Sequence, residues 1–341
     1  MQRPSFDELF SLLCAAPLSI AELNRLRQWI AGIHDPAECI ALIEAAAAGR
    51  PCPHCGCARV HRCGCVTGLQ RFRCTTCRRT FNALTGTPLA RLRKRECWLP
   101  YLQCILESRT VRDAARVAGV HRTTSFRWRH RFVPAAMRHR PARLGAVVEA
   151  DETHRLESQK GSRQLTRPAR KRGGVARKRG ITDELDCLLV ARDRNGETLD
   201  FHTGRAPITA DQLHTCLAPV LANDVLLISD GAAAYPSFAV KAGITHRSVN
   251  VRAGQRVRGA IHIQNVNGWH SRFKTWLVRF KGVASRYLIN YSGWQRLLDA
   301  RQLLTPALWL CAAVRQIQDS CEKSAFNAHT AFFLAVFAFV R

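Results

Sequence analysis

Acidic residues are scarce in this 341-residue chain. It has 25 Asp and Glu against 52 Lys and Arg, a net charge of +27. A chain so short of acid is a poor partner for basic surfaces and is matched to a polyanion, nucleic acid before acidic membrane. Long apolar runs are missing too. The longest, Ala331 to Val340, has ten residues, where a membrane helix needs about 18 or more. The N-terminal Met1-Gln2-Arg3-Pro4 stretch lacks a secretory apolar segment, so no export is expected. No internal repeat appears. The apolar fraction of 47% excludes full-length disorder, and the length suggests two to three domains.

Cysteine, by contrast, is plentiful, and its count of 15 is odd. Disulfides would suit a small secreted chain, which this is not expected to be. Eight cysteines stand outside any cluster, several of them, such as Cys14, Cys104 and Cys311, within helical apolar patterns that suit reduced core thiols. Seven fall between Cys52 and Cys77. Among them Cys52-Pro-His-Cys55 and Cys74-Thr-Thr-Cys77 are two C-x-x-C pairs with 18 residues between them. Each pair sits on a tight turn that aims two thiolates at one point, and two such turns close a tetrahedral Zn²⁺ site. Gly56 allows the positive φ such a turn uses. Cys57, Cys63 and Cys65 have C-x-C spacings that fit a knuckle poorly and are left out of the site. Neither pair opens a helix after a strand, as a redox pair would.

Residues 1–50 read as helices without chemistry, 51–90 as a zinc ribbon, and 91–140 as basic helices. In the last region Val111 to Val120, ending at Gly119, is followed by His121 to Phe132, a helix-turn-helix pattern. The second helix carries Arg122, Thr123, Thr124, Arg127, Arg129 and Arg131, with Phe126, Trp128 and Phe132 for packing. Arginine suits guanine edges and threonine suits thymine methyls, so this helix is expected to read DNA. Between Lys160 and Gly180 lie nine cations and no acid, including Lys171, Arg172, Lys178 and Arg179. Mutual repulsion predicts a mobile loop that meets phosphate.

From 145 to 300 apolar strands precede helices, which suggests one sheet with helices packed on it. Residues 301–341 read as a helical tail. Gly145 to Asp151 is read as a short strand ending in its carboxylate. A later strand, Asp224 to Ser229, ends at Asp230-Gly231. Two strand-end carboxylates side by side suit Mg²⁺ and phosphoryl transfer. No Asp or Glu occurs from Gly231 to Leu298, where a third ligand would be expected; Asn265-Val-Asn267-Gly-Trp-His-Ser-Arg-Phe-Lys274 stands there instead. Glu152 should face away from Asp151 on a strand and is read as structural. His262 and His270 are read as packed or surface residues.

Taken in order, these motifs resemble bacterial insertion-sequence transposases of the ISXO-like group. The matching residues are the two cysteine pairs, Thr85-Gly-Thr-Pro88, Asp151-Glu-Thr153, Ile228-Ser-Asp230-Gly231, and Asn265-Val-Asn267 through Ser271 to Lys274. Asn267 follows Asp230 by 37 positions, and Lys274 follows seven later. The resemblance implies a zinc ribbon, a helix-turn-helix and an α/β RNase H-like catalytic domain. It implies Asp151, Asp230 and Asn267 as Mg²⁺ (or Mn²⁺) ligands and Lys274 as a phosphate contact. Asn265 is the alternative site amide. The implied activity is 3′-end cleavage and strand transfer on double-stranded DNA, at terminal inverted repeats and a target, by a homodimer or higher oligomer. The expected place is the cytoplasm, with the nucleoid, and not a membrane. The apolar end of the chain departs from the family. A zinc-ribbon DNA-binding regulator with an inactive catalytic fold is the rival reading, and an RNA-processing nuclease a third.

Overall fold

A computed structural model describes residues 36–315 apart from 172, 250–256 and 304, together with isolated positions before 36. Most of the expected N-terminal helices, Arg172 and the apolar run Ala331 to Val340 lie outside the described residues. No helix among the described residues is long and apolar enough to cross a membrane.

The cysteine region forms a three-stranded antiparallel sheet of β1 (Val60–Val66), β2 (Leu69–Cys74) and β3 (Thr80–Asn82). Thr67 and Gly68 join β1 to β2 and both have positive φ, 50° and 81°. That is the two-residue turn whose twist matches paired strands. Phe72 and Phe81 stack on one face at 5.7 Å, next to buried Cys52 and Cys74. Helix α1 (Pro36–Ala46) lies against this hairpin.

A helical bundle follows: α2 (Trp98–Leu106), α3 (Val111–Val117), α4 (Arg122–Phe132) and the short α5 (Pro134–Arg138). Thr110 caps α3 by accepting from Asp113 N, and His121 Nδ1 caps α4 by accepting from Thr123 N. Gly119, at φ 60°, makes the turn between them. Trp98, Tyr101, Trp128 and Phe132 are buried, with edge-on ring contacts of 5.2–5.5 Å. Phe126 departs from expectation. It is exposed and set edge-on to His130, which stacks on Tyr287 at 3.6 Å.

The main sheet contains β4 (Val147–Leu156), β5 (Leu185–Asp193), β6 (Thr198–Arg205), β7 (Leu226–Ser229) and β8 (Thr245–Ser248) in the order β6-β5-β4-β7-β8. β4, β5 and β6 are antiparallel; β7 runs parallel to β4, and β8 to β7. Strand alternation sorts the side chains. Val148, Ala150, Leu189 and Leu227 pack with α6 (Ala210–Leu217) and α7 (Ala234–Ala242). Leu188, Val190 and Ile228 share the opposite core with α8 (Gln264–Val278), α9 (Leu288–Asp299) and α10 (Pro306–Val314). A small hairpin, β9 (Val257–Arg258) with β10 (Ile261–His262), precedes α8. β4 corrects one expectation. Asp151 does not end the strand, which runs five residues further because it stays paired with β5 after β7 has stopped.

The second core is continuous with the helical bundle. Two buried arginines sit in this junction. Arg296 on α9 bonds Asp200 of β6 at 2.6 Å and donates to the carbonyls of His139, Ala136 and Met137 at 2.8, 3.1 and 3.3 Å. Arg129, expected among the DNA-facing cations, is fully buried. It donates to Arg109 O at 2.6 Å and lies over the rings of Phe280 and Trp294. Its position on α4 is on the side that packs, so helical phase takes it off the DNA face.

α9 meets α5 at Gly293. A Cβ there would stand 2.6 Å from Met137 Cα and 2.9 Å from Met137 N, both backbone atoms that cannot step aside. Gly293→Ala should therefore destabilise the fold by about 1–3 kcal/mol or more, seen as a lowered midpoint in urea with α5 separated from α9. The other prediction from this junction concerns acid. Burial, then the charges of Arg129 and Arg286, push the His130 imidazole down to about 4, from an ordinary value near 6.5. The unfolded chain thus takes up a proton first as pH falls. The stability His130 carries is complete above about 6.5 and is lost as pH drops through about 4. His130→Phe keeps a ring against Tyr287 and should flatten that stretch of the stability curve.

Candidate functional site

The cysteine knuckles converge. Cys52, Cys55, Cys74 and Cys77 place their four sulfurs within 4.8 Å of one another, with Cys52 to Cys77 at 3.7 Å and Cys55 to Cys74 at 3.6 Å. A Zn–S bond of about 2.3 Å makes the edge of a tetrahedron about 3.8 Å, so the donor set and spacing fit Zn²⁺. Backbone bonds Gly56 N to Cys52 O and Cys52 N to Cys57 O shape the first knuckle, with Gly56 at φ 75°. Burial pushes the Cys52 thiol up, but backbone N–H groups of His54 and Cys55 and the Cys77 and Cys55 thiols bring it down to about 7. Cys57 turns to Thr76 Oγ1 at 3.1 Å, and Cys65 to Gln70; neither joins the four, nor does Cys63.

The carboxylate site is built from β4 outward. The parallel register pairs Val147 with Leu226 and Glu149 with Ile228. Continued by two residues, it sets Asp151 beside Asp230, just past the end of β7. Asp230 Oδ1 accepts from Ala232 N at 3.0 Å, and Gly231, at φ 85°, makes the turn. On the same face of β4, Glu149 is completely buried. Its carboxylate accepts from Asn265 N at 2.7 Å, Val266 N at 3.0 Å and Asn265 Nδ2 at 2.9 Å, and pairs with Arg194 at 3.0 Å. A carboxylate at the first turn satisfies amides the helix cannot, and is favoured by its dipole. It fixes the start of α8.

With its start fixed, α8 presents Asn267, His270 and Lys274, spaced three and four apart, on one side. His270 defines where that side points: its Nδ1 is 3.6 Å from Asp151 Oδ2. Asn267 and Lys274 are exposed. Burial pushes the His154 imidazole down, Asp151 opposes this, and Lys274 and His270 add to it, so these groups share one electrostatic neighbourhood. Asn265 has its amide N–H on Glu149. Two carboxylates and an amide oxygen are hard donors that suit Mg²⁺ or Mn²⁺.

Three residues carry more than the sequence reading gave them. Glu149 passed unnoticed, although a carboxylate two positions before Asp151 was a visible signal. His270 was read as packed or surface; its spacing from Asn267 and Lys274 was the available clue. Glu152 does face away from Asp151, toward Tyr235, whose hydroxyl bonds it. Burial pushes the Glu152 carboxyl up to about 7, with the Tyr235 bond opposing and Asp151 and Asp230 adding to the rise.

The basic surfaces are uneven. Arg122, Thr123 and Arg127 are exposed on α4, and Thr124 is half-buried. In the 160–180 stretch two of the nine cations are paired with acids and a third is tied to carbonyls, so the expected mutual repulsion is offset only in part. Arg167 bonds Glu157 at 2.6 Å, Arg170 pairs with Glu184 at 3.2 Å, and Lys160 Nζ donates to the carbonyls of Lys281 and Gly282. The acids that do this flank the stretch in sequence. Lys171, Lys178 and Arg179 are exposed and have no ion-pair partner among the described residues.

Residues 143–294 match the family model of the ISXO2-like transposase domain. Over that segment the chain is similar to insertion-sequence transposases. A relative that supports this is an uncharacterized protein in transposable element ISH50 of Halobacterium salinarum. It is 29% identical over 244 residues, covering 70% of this chain and 82% of the relative. Among solved structures, that of a pre-cleavage Mos1 transpososome aligns with 64% of this chain and 79% of its own at 12% identity, with a TM-score of 0.20, too low to bear on the fold. The matched segment contains Asp151, Asp230, Asn267 and Lys274; the four cysteines precede it.

If the cysteines hold zinc, Cys52→Ser should lose one Zn²⁺ per chain by elemental analysis and leave residues 51–84 open to protease, because metal binding there is folding energy. Zinc retained at full stoichiometry would point to Cys57 as a substitute ligand.

Proposed function

We propose that this protein is a DNA transposase that cuts the 3′ ends of its element and joins them to target DNA. The observation that supports the reading is the β4–β7 register, which pairs Glu149 with Ile228 and, continued by two residues, brings Asp151 level with Asp230, in a segment similar to a transposase domain. Asp151, Asp230 and Asn267 would hold Mg²⁺ or Mn²⁺. When bound, the cations supply Lewis-acid stabilisation of the entering and leaving oxygens in an in-line displacement. In cleavage a water oxygen bonds phosphorus and the bond to the 3′ oxygen breaks. In strand transfer the freed 3′ hydroxyl bonds a target phosphorus and releases a target 3′ oxygen. The chain contributes position and charge: Lys274, an exposed ammonium on the site face of α8, neutralises the DNA phosphate.

The zinc ribbon and Arg122, Thr123, Thr124 and Arg127 of α4 bind the terminal repeats, while Lys171, Arg172, Lys178 and Arg179 meet phosphate. Each such phosphate contact steepens the fall of affinity with salt. Two element ends need two sites, so the working form is a homodimer or larger. The place of action is the nucleoid. The catalytic domain of this reading is RNase H-like, with ribbon, helix-turn-helix and catalytic units in order.

Single-residue variants test it on a marked element end. Asp151→Asn and Asp230→Asn should abolish nicking and strand transfer and leave end binding intact. Asn267→Ala should slow both steps by roughly 10–100-fold, as loss of one metal-supporting group does. Full activity in either aspartate variant overturns the reading. Full activity in Asn267→Ala with none in Asn265→Ala moves the third position to Asn265.

A further inference from the structure

We infer that His270 is a positioning residue that holds the Asp151 carboxylate in its metal-binding orientation. The inference rests on the proposed metal site and adds a residue to it. Three observations support it. His270 is 4% exposed, its Nδ1 lies 3.6 Å from Asp151 Oδ2, and no other carboxylate among the described residues pairs with it. Its Nε2 is buried and has no hydrogen-bond partner among the described residues. The ring is fixed from behind: Trp269 lies edge-on to it at 5.9 Å, and α8 is pinned by Glu149 at its first turn.

A buried imidazole with one nitrogen unbonded is costly. An apolar side chain of similar size would fill the place without that cost. What the imidazole adds is a ring nitrogen at ion-pair distance from one oxygen of Asp151. Asp151 itself is only 16% exposed and has no Lys or Arg ion pair among the described residues. Its carboxylate would otherwise turn about χ2, a broad torsion. With Oδ2 turned toward His270 Nδ1, at ion-pair distance, Oδ1 is left in a set direction for a cation. Carboxylates that bind metal are commonly held this way by a hydrogen-bonding neighbour, and losing the neighbour costs roughly 10–100-fold in metal affinity or activity. The geometry separates the two ring nitrogens, because Nδ1 faces Asp151 and Nε2 does not.

That difference supplies the test. Asparagine places its amide nitrogen where Nδ1 stands; glutamine reaches toward Nε2. Zinc-loaded full-length protein is titrated with Mn²⁺, reading both the rise in melting temperature and the midpoint for nicking a marked end. His270→Ala and His270→Gln should shift both midpoints upward by roughly 10–100-fold, and His270→Asn should restore most of the loss. End binding and melting without Mn²⁺ report folding, and Asp151→Asn is the reference for a lost site. An unshifted midpoint in a folded His270→Ala overturns the inference, as does an Asn variant no better than the Gln variant. If Asp151→Asn responds to Mn²⁺ like the wild type, the metal site itself is wrong and the inference falls with it. If only Asp151→Asn loses the response, the site stands and His270 has no part in it.

Discussion

The candidate site depends on one buried carboxylate. Glu149 is withdrawn from water on a central strand, and a charge there is tolerable only when fully bonded. Its bonds come from the first turn of α8, from the Asn265 side chain and from Arg194. Sliding or rotating α8 would strip those bonds at a cost of several kcal/mol. The helix is thereby fixed in height and phase against β4. Because Glu149 and Asp151 are two residues apart on one strand, the same restraint decides what stands over Asp151. A helix start that needs anion and a strand that carries one are thus joined, and the side chains three and seven positions along the helix inherit the alignment.

The scarce acids divide by what they touch. Glu149, Glu157, Asp200 and Asp299 are buried or nearly so, and each bonds at least one arginine. They neutralise cations that the fold takes out of water. Asp151 and Asp230, on adjacent strands, have no Lys or Arg ion pair among the described residues. In a chain with an excess of 27 positive charges, two neighbouring carboxylates left without such a partner are the places where an added cation gains most. Strong positive potential elsewhere favours DNA on the same surface.

The helical bundle and the main sheet are joined through a dry interior. Arg296 bonds β6 and the end of α5 together, Arg129 carries α4 onto Phe280 and Trp294, and Gly293 lets α9 and α5 approach to backbone contact. Removing Arg296 would leave Asp200 as an unpaired buried charge, removing Arg129 would leave a void and an unbonded carbonyl, and a side chain at Gly293 would clash with α5. The exposed residues of α4 therefore keep a fixed relation to the residues of α8. The proposed function, holding a DNA end and acting on it, has use for that rigidity.

Much of this was legible in the sequence. Paired C-x-x-C spacing is a local geometric demand, so Cys52, Cys55, Cys74 and Cys77 could be named before any fold was known. An apolar strand carrying Asp151, another leading into Asp230, and the Asn267-to-Lys274 interval of two helical turns depend only on the periods of strand and helix. What stayed hidden depends on which elements meet. Arg129 and Arg127 look alike in sequence; helix packing buries one and exposes the other. Phe126 was read as core, yet its side of α4 meets only the edge of His130 and Tyr287. Strand β4 outlasts β7, so Asp151 lies within its strand, and that follows from its antiparallel partner rather than from its own residues. Glu149 and His270 acquire meaning only through the contacts between β4 and α8, the one with Asn265 and Val266, the other with Asp151. Local spacing is written in the chain because covalent geometry enforces it. Long-range partners are chosen by burial and by the need to satisfy every buried charge, and those conditions exist only once the tertiary structure has formed.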